Sequence, residues 1–87
     1  MKRWEYYLDG SVPTVRFTGR RRTAFDIEFW PAGRESYAVW DRDGLSKHFD
    51  NILETVCHAI KLTHAPIPAE VMEEFMEARE KFVRGVE

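Results

Sequence analysis

The sequence places one nucleophile beside one base, at Cys57-His58. A cysteine becomes a catalytic nucleophile when a base within hydrogen-bond reach takes the proton of its thiol. Both residues fall in a segment of helical periodicity, where neighbouring side chains point about 100° apart. We therefore predict that Cys57 is a small core residue beside the apolar stripe of a helix, and not a nucleophile.

Metal binding is the next chemistry that the residue types suggest. Cys57 and His64 would share one helical face, but two ligands without a CxxC or HxxxH pattern do not make a zinc site. Asp41-Arg42-Asp43-Gly44 has the start of a calcium loop, yet Ile52 stands where such a loop needs a bidentate glutamate. We interpret this tetrapeptide as a turn between a strand and a helix. We predict no metal and no cofactor.

The chain also lacks the GxSxG, HExxH and phosphate-binding glycine patterns. Asp26 and Glu28 are a remaining carboxylate pair for acid–base catalysis. Asp26 is expected beside Arg16, which favours the ionised form that an acid catalyst must avoid. We therefore predict a protein that is not an enzyme.

Three consecutive arginines occupy the predicted loop between the second and third strands: Arg20, Arg21 and Arg22. Guanidinium groups are planar and permanently charged, so they suit phosphates or the carboxylates of a partner. Lys2, Arg3 and Arg16 would extend them into a basic edge. The alternative is a solvated loop whose charges discourage aggregation through strand edges.

The first half of the chain alternates apolar and polar residues with a period of two, as β-strands do. The apolar positions of four predicted strands are Trp4, Tyr6 and Leu8; Val15 and Phe17; Phe25, Ile27 and Phe29; and Tyr37 and Val39. The predicted loops are Asp9-Gly10 in a type I′ turn, Arg20-Arg21-Arg22, and Pro31-Ala32-Gly33. This register puts one row of apolar residues across the sheet: Trp4, Val15, Ile27 and Tyr37.

The opposite face of that sheet combines aromatic rings with arginine. The predicted register places Tyr7, Val12, Trp30 and Arg34 in one outer row, with Trp40 at the other end. Such a mixture is typical of protein interfaces, and it also suits the stacking of nucleic-acid bases. The alternative is that Trp30 and Trp40 fold over the sheet edges or under the C-terminal helix.

The second half of the chain changes to helical spacing. The first predicted stripe is Leu45, Phe49, Ile52, Leu53, Val56 and Ile60, with Asp43 or Ser46 as N-cap and an end near Thr63. The second helix opens with Pro68 in its first turn, and its stripe is Val71, Phe75, Ala78 and Phe82. The fold class is therefore α+β: a four-stranded antiparallel β-meander followed by two α-helices packed on one face of the sheet.

One side of the second predicted helix is acidic: Glu70, Glu73, Glu74, Glu77 and Glu80. Such a row either engages a basic partner or is only a solvated face, and the sequence leaves both interpretations open. The whole chain has 87 residues, a net charge of −2 and a pI near 5.9, so we expect one domain over 1–87 without a globally basic surface. One cysteine, no signal peptide and no apolar run that spans a bilayer predict a cytoplasmic protein.

No motif in the chain matches a known family, so the function is inferred by elimination. We predict a binding module that acts through protein–protein contacts, as a bacterial or phage inhibitor or accessory protein does. Self-association through the open sheet face is one form that we expect. The alternative is a nucleic-acid-binding regulator whose arginines contact phosphates. The predicted binding residues are Arg20, Arg21, Arg22, Trp30, Trp40, Tyr7, Arg34 and Arg16.

Overall fold

The computed structural model describes residues 3–19, 27–33, 36–41 and 46–85. The strands are β1 Arg3–Asp9, β2 Val12–Thr18, β3 Ile27–Pro31, β4 Tyr37–Asp41 and β5 Ser46–Phe49, and the helices are α1 Ile52–Thr63 and α2 Ala69–Gly85. The strands form one antiparallel sheet in the order β1-β2-β3-β4-β5. The predicted α+β meander followed by two helices is confirmed, with one strand more than expected. Neither described helix is long and apolar enough to cross a membrane.

The additional strand is β5, which occupies part of the segment predicted as helix. Phe49 pairs with Tyr37 across the sheet, so the predicted helical stripe is wrong at this position. The helix begins only after Asn51, whose backbone is extended and whose side-chain oxygen accepts the Glu54 N–H at 2.8 Å. This bond satisfies one of the free N–H groups of the first helical turn. The predicted N-cap at Ser46 is wrong, and Asp43 lies outside the described residues.

The first hairpin turns one residue later than predicted. Asp9 pairs with Val12, so Gly10 and Ser11 are the two turn residues. Of these two turn residues, Gly10 alone has a positive φ, 67°, which fits a type II′ turn, whereas a type I′ turn requires a positive φ at both. Trp4 therefore lies opposite Phe17. Because the pairing shifts by two residues, every side chain keeps its predicted face.

The pairings on either side of β3 are also shifted by an even number of residues. Phe29 pairs with Val15 on one side and with Val39 on the other. The turn after Pro31 is longer than the predicted three residues, and the Ala32 N–H donates to the Ser36 carbonyl at 2.8 Å. The pairing of β2 with β3 ends at Val15, since the next hydrogen-bonding position would set Pro13 against Pro31. Neither proline has an N–H to donate.

The end of α1 and the start of α2 agree with the prediction made from the two prolines between the helices. α1 ends at Thr63, and His64 closes it in the left-handed conformation with φ 56°, donating its N–H to the Ile60 carbonyl at 2.7 Å. The Pro68 carbonyl accepts the Met72 N–H at 3.2 Å and so opens α2. α1 lies mainly against β3, β4 and β5, whereas the backbone of α2 lies mainly along β1 and β2.

The core lies between one sheet face and the helices. Phe75 of α2 is fully buried and meets Phe29 edge-on, with 5.3 Å between ring centroids. Trp4 packs on Phe17 at 4.9 Å and donates its indole N–H to the Ala65 carbonyl at 3.1 Å, which ties the connection between the helices to the sheet. The buried apolar cluster is Trp4, Val15, Phe17, Ile27, Phe29, Tyr37, Val39, Ala59 and Phe75.

Candidate binding face

The sheet face that points away from the helices carries the four predicted binding residues that the structure describes: Tyr7, Arg16, Trp30 and Trp40. We call it the open face. Its side chains alternate with those of the core along each strand. Its central members are Glu5, Tyr7, Thr14, Arg16, Glu28, Trp30, Ala38, Trp40, Ser46 and His48.

Two tryptophans meet at the centre of the open face. Trp30 of β3 pairs with Ala38, and Trp40 of β4 pairs with Glu28, so the two indoles are diagonal neighbours. Their ring centroids are 6.2 Å apart at an interplanar angle of 73°, an edge-to-face contact. Trp40 remains 41% exposed, and Trp30 is half-buried.

The register prediction separated these tryptophans, and on that point it is wrong. It placed Trp40 at the opposite end of the sheet from Trp30, because it assumed too short a turn between β3 and β4. The longer turn moves Trp40 toward Trp30 along the strand. The row predicted beside Trp30 is also wrong, since Tyr7 pairs with Thr14 and Val12 pairs with Asp9.

A polar network lies beside the tryptophan pair. The Tyr7 hydroxyl donates to Glu28 Oε2 at 2.7 Å, and Arg16 Nε lies 3.8 Å from the same oxygen. The Arg16 guanidinium also lies over the Tyr7 ring, 4.3 Å from its centroid. The Glu28 side chain is only 9% exposed, and a carboxylate so buried needs hydrogen bonds and a counter-charge. The network supplies both.

Electrostatics within this network keep Tyr7 and Arg16 each in one charge state. Burial, and next the hydrogen bond to Glu28, raise the pKa of Tyr7, so the phenol stays neutral. The contact with the Tyr7 oxygen raises the pKa of Arg16, which stays cationic. Arg16 is thus held over the sheet by Glu28 and Tyr7. This arrangement is present before any partner arrives.

Two members of the predicted basic edge, Arg3 and Arg16, lie among the described residues. Arg16 lies opposite Glu28, Arg3 pairs with Glu5 at 3.2 Å, and the predicted neighbour of Arg16, Asp26, lies outside the described residues. An acidic side chain therefore accompanies each described arginine of this edge. The remaining predicted members lie outside the described residues: Lys2, Arg20, Arg21, Arg22, Asp26 and Arg34.

The side chains of Cys57 and His58 lie in different surroundings. The prediction that Cys57 is buried is wrong, because its side chain is exposed on α1. His58 instead packs against Phe49, with 5.0 Å between ring centroids, and lines a cavity of about 340 Å³ with Asp41 and Lys47. Within the described ranges, no three His, Cys, Asp or Glu side chains come together as metal ligands.

The surroundings of His58 should lower the pKa of its imidazole, which a titration can test. Burial lowers the pKa of His58, and Lys47 and Lys61 lower it further, while Asp41 opposes them. We expect the NMR titration midpoint of the folded protein to lie below the value in urea, which should be near 6.5. Below pH 6.5 the unfolded state then binds more protons than the folded state. The contribution of His58 to the free energy of unfolding is therefore fully present above pH 6.5 and is lost as pH falls through the folded pKa.

The matched variant for this titration is Lys47→Ala. Removing that ammonium should raise the folded midpoint part of the way toward the value in urea, since burial remains. A folded midpoint at or above the urea midpoint would show that the His58 imidazole is not packed as described.

The acidic side of α2 forms one wall of a groove that the sequence analysis did not predict. Glu74, Glu77 and Phe82 face Tyr6 and Leu8 across a volume of about 740 Å³. Two acidic residues of the row have partners on their own helix, Glu77 with Lys81 at 4.0 Å and Glu80 with Arg84 at 2.8 Å. The signal for this groove in the sequence is the apolar Leu8 at the end of an edge strand.

Comparison with protein families, with curated proteins and with solved structures finds no match to this chain. The function is therefore argued from the site itself.

Proposed function

We propose that this chain is a protein-binding module whose open face holds an acidic protein partner. The observation that carries the proposal is the Trp30–Trp40 pair, which leaves a large indole 41% exposed at the centre of a sheet face. Tryptophan is enriched among residues that dominate binding energy, because a rigid ring buries much area at a small cost in entropy.

The setting of the pair supports binding without rearrangement. Ala38, which pairs with Trp30, and Thr14, which pairs with Tyr7 on the same face, are small and buried. The Tyr7–Glu28–Arg16 network fixes the neighbouring side chains in the free protein. A partner that lands on this face therefore meets a surface that is already ordered, and little conformational entropy is lost on binding.

Charge favours an acidic partner. The charges of Arg16 and Glu28 offset each other within the open face. The segment 20–26 joins the end of β2 to the start of β3, and Ile27 at that start pairs with Asp41, the neighbour of Trp40. That segment contains Arg20, Arg21 and Arg22. Such cations would steer carboxylates of a partner toward the indoles.

A binder of this kind works by occupying the surface of its partner. That mode of action suits an inhibitor or accessory protein, and it needs no chemistry from this chain. The nucleic-acid alternative uses the same arginines, but on phosphates, and it differs in its response to salt.

The proposal is tested by selecting ligands from an unbiased displayed peptide library on the immobilised protein. We expect enriched peptides to be acidic and Trp30→Ala to weaken them by about tenfold or more, while the protein stays folded. The control is Leu62→Ala, because Leu62 is an exposed apolar residue on α1, away from this face.

Two results would overturn the proposal. One is a set of enriched peptides that bind the Trp30→Ala variant as well as they bind the unchanged protein. The other is tight binding of labelled DNA or RNA, measured by fluorescence anisotropy, that weakens steeply with salt and is lost when Arg20, Arg21 and Arg22 are all changed to Ala. That second result would assign the face to nucleic acid.

A further inference from the structure

The two edges of the sheet are built differently. The β5 edge is short, with four residues, and it contains Lys47. Short edge strands and lysines are two ways in which proteins prevent their edges from pairing with other chains. The β1 edge has seven residues, Arg3–Asp9, and neither proline nor lysine among them. β1 is thus the edge that remains able to pair.

The register identifies the backbone groups that β1 presents outward. Asp9 and Val12 close a two-residue turn, so Asp9, Tyr7 and Glu5 exchange hydrogen bonds with β2. The intervening residues Trp4, Tyr6 and Leu8 turn their N–H and C=O groups away from β2. No strand of the described chain pairs with that side of β1.

We propose that β1 pairs with β1 of a second copy, antiparallel and centred on Tyr6. In this register Tyr6 faces Tyr6 and Trp4 faces Leu8, as hydrogen-bonded pairs through their outward groups. Arg3 of one copy lies opposite Asp9 of the other, twice by symmetry. These are non-hydrogen-bonded positions, where side chains approach most closely, so the charges attract at short range.

Neighbouring symmetric registers are disfavoured by charge. Centring the pair on Glu5 sets two Glu5 carboxylates directly opposite each other. Centring it on Tyr7 sets Glu5 opposite Asp9 at both ends. Like charges directly opposite each other destabilise a strand pair. The Tyr6 register is therefore selected, and it also pairs all seven residues of β1.

The groove beside β1 is an apolar surface that the second copy would bury. Leu8 is 58% exposed, and it lines the groove together with Tyr6 and with Phe82 of α2. A two-fold axis perpendicular to the sheet keeps both helical layers on the same side. The Leu8 and Tyr6 side chains of each copy then extend toward the groove of the other, which buries the exposed leucines.

This dimer goes beyond the proposed function and does not depend on it. It uses the backbone edge of β1 and leaves Trp30 and Trp40 uncovered. Trp30→Ala should therefore leave the dimer dissociation constant unchanged. Failure of the dimer proposal can thus be distinguished from failure of the proposal that the open face binds an acidic partner.

The test is a charge swap followed by sedimentation equilibrium of the full chain. We expect the unchanged protein to dimerise, and Arg3→Asp or Asp9→Arg alone to weaken the dimer by about tenfold or more, since two attractive pairs become repulsive. The double variant should regain the dimer. An equimolar mixture of the two single variants should form heterodimers, because each supplies the charges that the other lacks.

The control variant is Asp50→Arg, an equal change of charge at an exposed residue next to the β5 edge. It should leave dimerisation unchanged, and circular dichroism should show that all variants remain folded. A protein that stays monomeric up to about 1 mM overturns the proposal. So does a dimer that the single swaps do not weaken, because it must use another surface.

Discussion

Replacing Phe75 by Ala is expected to lower the free energy of unfolding by about 3–5 kcal/mol. The Phe75 ring is fully buried and is the contact through which α2 reaches the centre of the sheet. It lies edge-on to Phe29 at 5.3 Å and 6.3 Å from the Tyr37 ring. Truncation removes both ring contacts and leaves a cavity that the sheet is too stiff to fill. Urea denaturation followed by circular dichroism measures the effect.

The matched control for this variant is Leu53→Ala on α1. Leu53 is apolar but 70% exposed, so its removal should change stability by no more than about 0.5 kcal/mol. A domain of this size is stable by only about 5–10 kcal/mol, so the loss at Phe75 should be visible in the midpoint. If the two variants have the same midpoint, α2 does not pack on the sheet through Phe75.

The sequence predicts faces better than it predicts pairings. Trp4, Val15 and Phe29 lie on the core face as expected, because the alternation of apolar and polar residues has a period of two. The pairing of strands depends on turn length, which a single dipeptide does not fix. Gly10 fits either the first or the second position of a two-residue turn, and its φ of 67° is consistent with both.

The β5 strand could not be separated from the helix by periodicity. Phe49 and Ile52 are three residues apart, as on a helical face, yet Phe49 closes the sheet against Tyr37. Asn51 between them is a good N-cap and is the signal that was available. Short apolar segments remain ambiguous because strand and helix patterns overlap within four or five residues.

The binding face was only partly predictable, because contacts between strands depend on the register. Placing Trp30, Trp40, Tyr7 and Arg16 on one face needs only the alternation, and the structure places them there. That Trp30 contacts Trp40, and that Glu28 joins Tyr7 to Arg16, depends on the register. The exposure of Cys57 was missed because it borders the apolar stripe, where a small change in helix rotation decides burial.

Replacing Glu28 by Ala is expected to cost about 2–3 kcal/mol of stability, although the side chain lies on the face away from the core. The variant leaves the Tyr7 hydroxyl without its acceptor and Arg16 without the carboxylate that it faces. The arginine is partly exposed, and water therefore offsets part of the loss. Urea denaturation gives the cost, and tryptophan fluorescence should change because Trp40 pairs with Glu28 across the sheet.

Two milder variants divide this cost between charge and hydrogen bonding. Glu28→Gln keeps an oxygen acceptor for Tyr7 but loses the charge that faces Arg16, so it should cost less than Glu28→Ala. Tyr7→Phe keeps the ion pair and removes the hydroxyl, with its bond to Glu28 and its contact with Arg16, at about 1 kcal/mol. Equal stability of Glu28→Ala and the unchanged protein would mean that the network does not hold the open face in order. The rigid setting assumed for the tryptophan pair would then be lost, and a binding partner would have to impose that order itself.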